Sequence, residues 1–193
     1  MTATGTASTT LRQRIVDAAV ALTSDVGWSQ VTMGKLADRV GVSRQTVYNE
    51  IGTKPALAEA MILSELDRFL QVVTSAFDAH PADLVQAIRS ASEGVLELAR
   101  GNQLLHAVVS ATHGADTELL PLLTTHAQSL LAAAKLVVGE RVAPYDIGLD
   151  AEHLDAAIDM VVRVVLSHVM QPSASPADTS TDIAWIAARV LRA

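Results

Sequence analysis

Arg44, Gln45, Thr46, Tyr48 and Asn49 crowd hydrogen-bonding side chains into one short stretch between Ser43 and Gly52. Arginine pairs bidentately with the guanine edge, and glutamine or asparagine with the adenine edge, so these types on one helix can read DNA bases. A helix that merely packs has no use for them. The Tyr48 hydroxyl can donate to a phosphate, and Lys54, just past Gly52-Thr53, can hold the backbone beside the helix end. A half-buried packing ring and a solvated ammonium are the alternative roles for these two residues.

Positioning such a surface takes two short helices. Thr32 and Ser43 each stand where an N-cap is wanted, because a hydroxyl accepts from the free N–H groups of a first turn. Between them, Val40-Gly41-Val42-Ser43 supplies a glycine able to take positive φ and turn the chain sharply. Ala37 is small enough for close crossing, while Leu36, Val40, Val42 and Val47 offer shared core. Helix, tight turn, helix is the arrangement whose second member lies in the major groove, although an ordinary αα-hairpin shares the same spacing.

The rest of the chain also reads as helical. Apolar residues recur at three and four, as in Leu11, Ile15, Ala18/Ala19, Leu22 and Val26, and no strand alternation is sustained. The expectation is an all-α fold of about nine helices, near 9–26, 33–40, 44–50, 54–79, 82–100, 102–112, 116–139, 151–170 and 180–192. Residues 172–182 read as an exposed connection before the last helix. The expected organisation is a flexible tail over 1–10, a head over 11–53 and a body over 54–193, joined by the helix 54–79.

Composition narrows the function further. The 193 residues are 50% apolar and 3% aromatic, lack cysteine and carry a formal charge of −7. Without cysteine there are no disulfides and no thiolate metal sites. Neither a membrane span nor a secretion signal is evident, so a cytoplasmic protein is expected. An acidic total argues against nucleic acid only if the acid is evenly spread. Residues 1–60 hold six cations and five anions, whereas the remainder holds eight against sixteen. The head is near neutral and the body carries the acid, although a division of this size also arises by chance.

No catalytic constellation stands out. There is no nucleophile elbow, glycine-rich phosphate loop or histidine pair at metal spacing, so no catalytic residue, metal site or cofactor is expected. Glu93 with Glu97 reads as a solvated acidic face, and His113 with Asp116 and His153 with Asp155 lack a third ligand.

Leu11 to about Leu63 resembles the DNA-binding domain of the TetR/AcrR family of one-component transcriptional regulators. The resemblance runs through Ile15-Val-Asp-Ala-Ala, Gly27-Trp28, Val31-Thr-Met-Gly-Lys-Leu-Ala, Val40-Gly-Val-Ser, Thr46-Val-Tyr48, Gly52-Thr-Lys54 and Leu57. It implies that the helix from Ser43 is the recognition helix, with Thr32, Lys35, Tyr48 and Lys54 at phosphates and Arg44, Gln45, Thr46 and Asn49 nearest the bases. It also implies that the helix 54–79 links ligand state in the body to the head. Two positions depart from the family pattern. Glu50-Ile51 stand where many relatives have His-Phe, and Gly34 offers no side chain. Ile51 fills the apolar slot with less area. Glu50 puts an anion near phosphates unless it accepts from cytosine N4 or meets a neighbouring cation.

For the body, the expectation is a dimer and an apolar effector. The surplus of apolar residues on the last two helices, among them Ile158, Val162, Val165 and Val169, then Trp185, Ile186 and Val190, suits a homodimer on a twofold operator of double-stranded DNA. One internal core without a dimer accounts for the same surplus. Met61, Phe69, Phe77, Val109 and Met160 are candidates to line a pocket, with His106, His113 and His126 orienting a polar end. Core packing and satisfied histidines account for them equally well. The expected effector is a fatty-acid-like, hydrocarbon-like or drug-like lipophile. The function expected is a ligand-released repressor; a helical protein-interaction module that does not grip DNA is the alternative, with Glu50 its best argument.

Overall fold

The computed structural model describes residues 10–102, 104–106 and 120–191, and in residues 120–127 the backbone alone. Among these residues there are only helices: α1 (Leu11–Val26), a 3-10 turn (Trp28–Gln30), α2 (Met33–Val40), α3 (Arg44–Ile51), α4 (Lys54–Ala79), α5 (Leu84–Gly101), α6 (Leu120–Val142), α7 (Ala151–Met170) and α8 (Pro176–Val190). The all-α expectation holds. They divide between two compact units, the first within Met1–Glu65 and His106–Leu122, the second within Leu66–Leu105 and Leu123–Ala193.

In the first unit, α1 packs on α2 and α3, and α2 packs on α3. Thr10 caps α1 by accepting from Gln13 N at 3.2 Å, and the helix buries Ile15, Val16, Ala19 and Leu22 along one stripe. Ile15, Val31, Leu36, Val47, Leu57 and Met61 are the largest fully buried apolar side chains of this unit. Gly41 adopts φ 77° and ψ 40°, a left-handed conformation that L side chains seldom take. From there Gly41 N–H and Val42 N–H both return to Ala37 O, at 2.9 and 3.0 Å. That closes α2 in the manner of a Schellman cap and aims the chain into α3.

In the second unit, α5 packs along α8 and against α7. Buried on α5 are Ala87, Ala91, Ser92, Val95, Leu96 and Ala99, and on α8 Pro176, Thr179, Ser180, Ile183, Ala184 and Ala187, so small residues are frequent on both helices. Ser180 is fully hidden, yet its hydroxyl donates to Ala177 O at 3.0 Å, so burial leaves no polar group unmatched. At the far end of α4, Phe77 meets Tyr145 edge-on, with centroids 6.1 Å apart, and the Tyr145 hydroxyl donates to His80 O at 2.8 Å. Between α6 and α7, Lys135 lies 3.2 Å from Asp155 and 3.3 Å from Asp159, and Arg163 lies 2.7 Å from Asp159. The hydrogen bond from Arg163 holds the Asp159 carboxyl below the usual carboxylate range, and that to Asp155 raises Lys135.

Several expected boundaries hold and others shift. The ranges 33–40, 54–79 and 151–170 coincide with α2, α4 and α7. The stretch from Pro176 expected as a connection is instead the first turn of α8. Ser175 caps it by accepting from Asp178 N at 3.1 Å, and Pro176 occupies the opening position, where its missing N–H costs nothing. At the other end, α6 runs past the expected stop at Gly139. Most of the expected helix 102–112 lies outside the described residues, although 104–106 are helical.

One contact is tight enough to test packing in the second unit. A Cβ built on Gly94 in α5 would lie 2.6 Å from Val72 Cγ1 in α4. Gly94→Ala is expected to lose about 1–2 kcal/mol net, overpacking outweighing the ~1 kcal/mol of better helix propensity. Calorimetry should show a melting point lower by about 2–4 °C per kcal/mol, regained when Val72→Ala is added. A higher melting point for Gly94→Ala alone would contradict this packing.

Candidate nucleic-acid interface

Helix α3 has two faces because eight residues at 100° per step cannot all point one way. Val47 and Ile51, four apart, are buried, while Arg44, Gln45, Tyr48, Asn49 and Glu50 are exposed and Thr46 lies between. Ser43 caps the helix, accepting from Thr46 N at 3.1 Å and sharing a hydrogen bond with the Thr46 hydroxyl at 2.8 Å. A cap of this kind contributes about 1 kcal/mol to a helix too short to stand alone.

The exposed face is ordered by two side-chain pairs at i,i+4 spacing. Gln45 Nε2 donates to Asn49 Oδ1 at 2.9 Å. The Arg44 guanidinium carbon sits 5.7 Å from the Tyr48 ring centroid, with one nitrogen 3.5 Å from the hydroxyl. After its internal bond the amide pair still offers one carbonyl acceptor and several N–H donors, the complement of an adenine edge. The guanidinium keeps free donors for guanine.

Flanking polar groups keep hydrogen-bonding capacity beside α3. Thr32 caps α2 by accepting from Lys35 N at 3.2 Å, which leaves its hydroxyl proton available. Lys35 donates to Gln30 O at 2.9 Å, using one of its three protons. Gly34 has open space around it, since a Cβ there would meet only the Thr32 hydroxyl at 3.9 Å. Of the first-turn N–H groups, that of Lys35 is taken by the Thr32 hydroxyl and that of Leu36 by Thr32 O. The Lys54 ammonium lies 4.8 Å from the centroid of the buried Trp28 ring, a cation–π contact that steadies a residue the sequence allowed to be simply solvated.

Among the described residues, no group of three potential ligands is placed to hold a metal, and no helix is long and apolar enough to cross a membrane. Beside this geometry stand the relatives. Residues 15–61 match the family described as bacterial regulatory proteins, tetR family, and residues 83–189, more than half the chain, match the bacterial tetracyclin repressor C-terminal domain. The chain belongs to the TetR family. It is a DNA-binding transcriptional regulator rather than an enzyme.

Individual members show how far the likeness extends. The HTH-type transcriptional regulator AlkX of Mycobacterium tuberculosis is 25% identical over 174 residues, 90% of this chain and 82% of that protein. The crystal structure of the TetR family repressor AlkX from Dietzia sp., implicated in biodegradation of n-alkanes, superposes with a TM-score of 0.74 at 26% identity, covering 95% of this chain and 96% of that one. The fold alone is shared with FadR of Bacillus subtilis in complex with stearoyl-CoA, at TM-score 0.59, 16% identity and coverage of 92% and 96%.

The structure gathers the nine expected DNA residues on α2, α3 and the start of α4. The expected effector residues are distributed over both units. Met61 is buried in the first half of α4 and Phe69 half-buried further along; Phe77 is buried in the second unit, while His106 is exposed and Met160 is 63% exposed. Val109 and His113 fall outside the described residues, as does the side chain of His126. On the last two helices, Val162 is buried, Ile158 reaches towards Gly139 of α6, and Val165 and Val169 are half-buried. Trp185, Ile186 and Val190 are exposed, with the Arg189 guanidinium 3.6 Å from the Trp185 ring centroid.

In the sequence Arg12 and Arg14 count only as charge. Both donate to helix-end carbonyls, Arg12 to Glu50 O and Arg14 to Val40 O at 2.9 Å. No local pattern announces such partners, because they are 38 and 26 residues away. The Gln45–Asn49 pair was within reach, since i,i+4 polar pairs on a helix face are neighbours by geometry. A double-mutant cycle of Gln45→Ala and Asn49→Ala, read as affinity for a cognate duplex, should give a coupling of at least about 0.5 kcal/mol. Additivity within about 0.3 kcal/mol would show that each amide acts alone.

Proposed function

We propose that this TetR-family regulator is a repressor that binds a palindromic operator as a dimer and is released by a predominantly apolar small molecule held in its helical body. The observation that carries the DNA half is the exposed face of α3, where base-reading types stand in ordered pairs while Val47 and Ile51 anchor the helix. In this reading residues 11–53 are the DNA head, 54–193 the effector and dimer body, and the helix 54–79 connects them. Phosphate contacts come from Thr32, Lys35, Tyr48 and Lys54, base contacts from Arg44, Gln45, Thr46 and Asn49, and Ser43 supports both through its cap.

A second copy of the chain is the partner proposed for the exposed apolar residues of α7 and α8, above all Trp185, Ile186 and Val190. Large apolar groups left in water favour burial in an isologous contact. The effector reading rests on the aliphatic body, in which Val73, Ile88, Val138 and Ile147 pack around Phe77, Ala87, Ala91 and Val142. The n-alkane association of the Dietzia relative, at 26% identity, supports the same class of lipophile.

Anisotropy titrations against the duplex upstream of its own gene test the DNA half. Tyr48→Phe and Lys54→Ala should weaken binding on every sequence, whereas Arg44→Ala should relax preference at one or two base pairs by about 1–3 kcal/mol. Equal loss on all sequences for Arg44→Ala, or one protomer bound per duplex, would overturn the assignment. For the effector, thermal-shift measurements should find stabilisation by long-chain aliphatic compounds that also release the duplex. Stabilisation by small polar metabolites alone would refute an apolar ligand.

A further inference from the structure

Three consecutive residues in the first turn of α1 reach three different helices. Arg12 Nη1 donates to Glu50 O at the end of α3. Arg14 Nη2 donates to Val40 O at the end of α2, at 2.9 Å. Between them, Gln13 Nε2 donates to Ser64 Oγ of α4 and to Asp17 Oδ1 of α1, each at 3.0 Å. Successive side chains on a helix diverge by about 100°, so three in a row fan out over most of its circumference. One turn of α1 therefore touches α2, α3 and α4.

The acceptors are chemically apt. Val40 O and Glu50 O belong to the last turns of α2 and α3, whose carbonyls lack partners within the helix and carry the negative end of its dipole. The glycines after these helices serve other carbonyls: Gly41 N–H returns to Ala37 O and Gly52 N–H to Tyr48 O, at 2.9 and 2.8 Å. The guanidinium groups thus meet acceptors that the turns leave open, in charge-assisted bonds. Arginine has five donors in a planar fork and needs only one for each contact.

We infer that Arg12-Gln13-Arg14 is a positioning node of the DNA-reading head, its side chains joining α1 to α3, α4 and α2 and so setting the angle at which α3 is offered to DNA. The inference rests on α3 being the helix that reads bases. It assigns to two head cations a role distinct from phosphate attraction. An arginine that positions α3 alters recognition of the right sequence; one that grips phosphate alters binding to any sequence and its dependence on salt.

Salt-dependent anisotropy separates these roles, using the duplex upstream of the protein's own gene and a random duplex of equal length. For Arg12→Ala, affinity for the upstream duplex is expected to fall about tenfold, the loss of one charge-assisted hydrogen bond. Affinity for the random duplex and the slope of log Kd against log salt should stay unchanged, and Arg12→Lys should recover part of the loss. A slope reduced by about 0.9 with equal loss on both duplexes marks a phosphate contact and overturns the inference. So does an unchanged affinity for the upstream duplex.

Gln13→Ala removes no charge and carries the test if Arg12→Ala fails to fold. It should weaken upstream binding about threefold at unchanged slope, and no change would overturn the node. Wild-type protein that fails to prefer the upstream duplex would instead strike at the proposed function. Amide exchange in the free protein judges the node without DNA: Gln13→Ala and Arg12→Lys should speed exchange at Val47–Ile51, and unchanged protection would count against it.

Discussion

Eight-residue helices are too short to hold themselves, and the surface proposed to read DNA is built on two of them. Isolated helices below about 12–15 residues are marginal in water because nucleation costs more than so few hydrogen bonds return. Everything that makes α2 and α3 usable is therefore external to their own ladders. Thr32 and Ser43 supply the first-turn acceptors, and Gly41 supplies the left-handed turn. Leu36, Val47 and Ile51 anchor the pair in apolar packing. The exposed residues of α3 inherit their positions from these constraints, so a change in the hidden face alters what is read on the open one.

Charge follows the same economy. The chain is acidic overall, yet the acid lies after residue 60 and the head is nearly balanced. Within the head, several cations are already engaged: Arg12, Arg14 and Lys35 donate to backbone carbonyls, and Arg39 pairs with Asp25 at 3.1 Å. Such engagement does not neutralise a cation, but it fixes where the charge sits. Non-specific attraction to DNA scales with the number of phosphates neutralised. A head with so small an excess relies on the placement of a few groups rather than on a broad positive field. Glu50, exposed on α3, adds an anion to the helix proposed to read bases.

The second unit meets a different constraint, that of fitting helices closely with few aromatic rings. The buried faces of α5 and α8 mix alanine, serine and threonine with Val95, Leu96 and Ile183, and small hydroxyls such as that of Ser180 return to carbonyls of their own helix. The few aromatics have particular places. Phe77 and Tyr145 close one end of α4 edge to face, while Trp185 stands on the outside under a guanidinium. Packing by small residues keeps the interior aliphatic, and an aliphatic interior is the kind of surrounding a lipophilic molecule enters at least cost.

Local chemistry in the sequence determined the helical class, the caps at Thr32 and Ser43, the turn at Gly41 and the polar face of α3, because each depends on residues within one or two turns. The same locality explains the misread start of α8: Ser175 and Pro176 are helix-opening residues, but the Pro/Ser/Asp composition around them also suits a loop. What tertiary structure alone decided lies farther apart along the chain. Arg12 meeting Glu50 O, Lys54 lying over Trp28 and Gln13 reaching Ser64 join residues across the fold. A side chain's periodicity says which face it occupies, but only the packing of other helices says what that face meets.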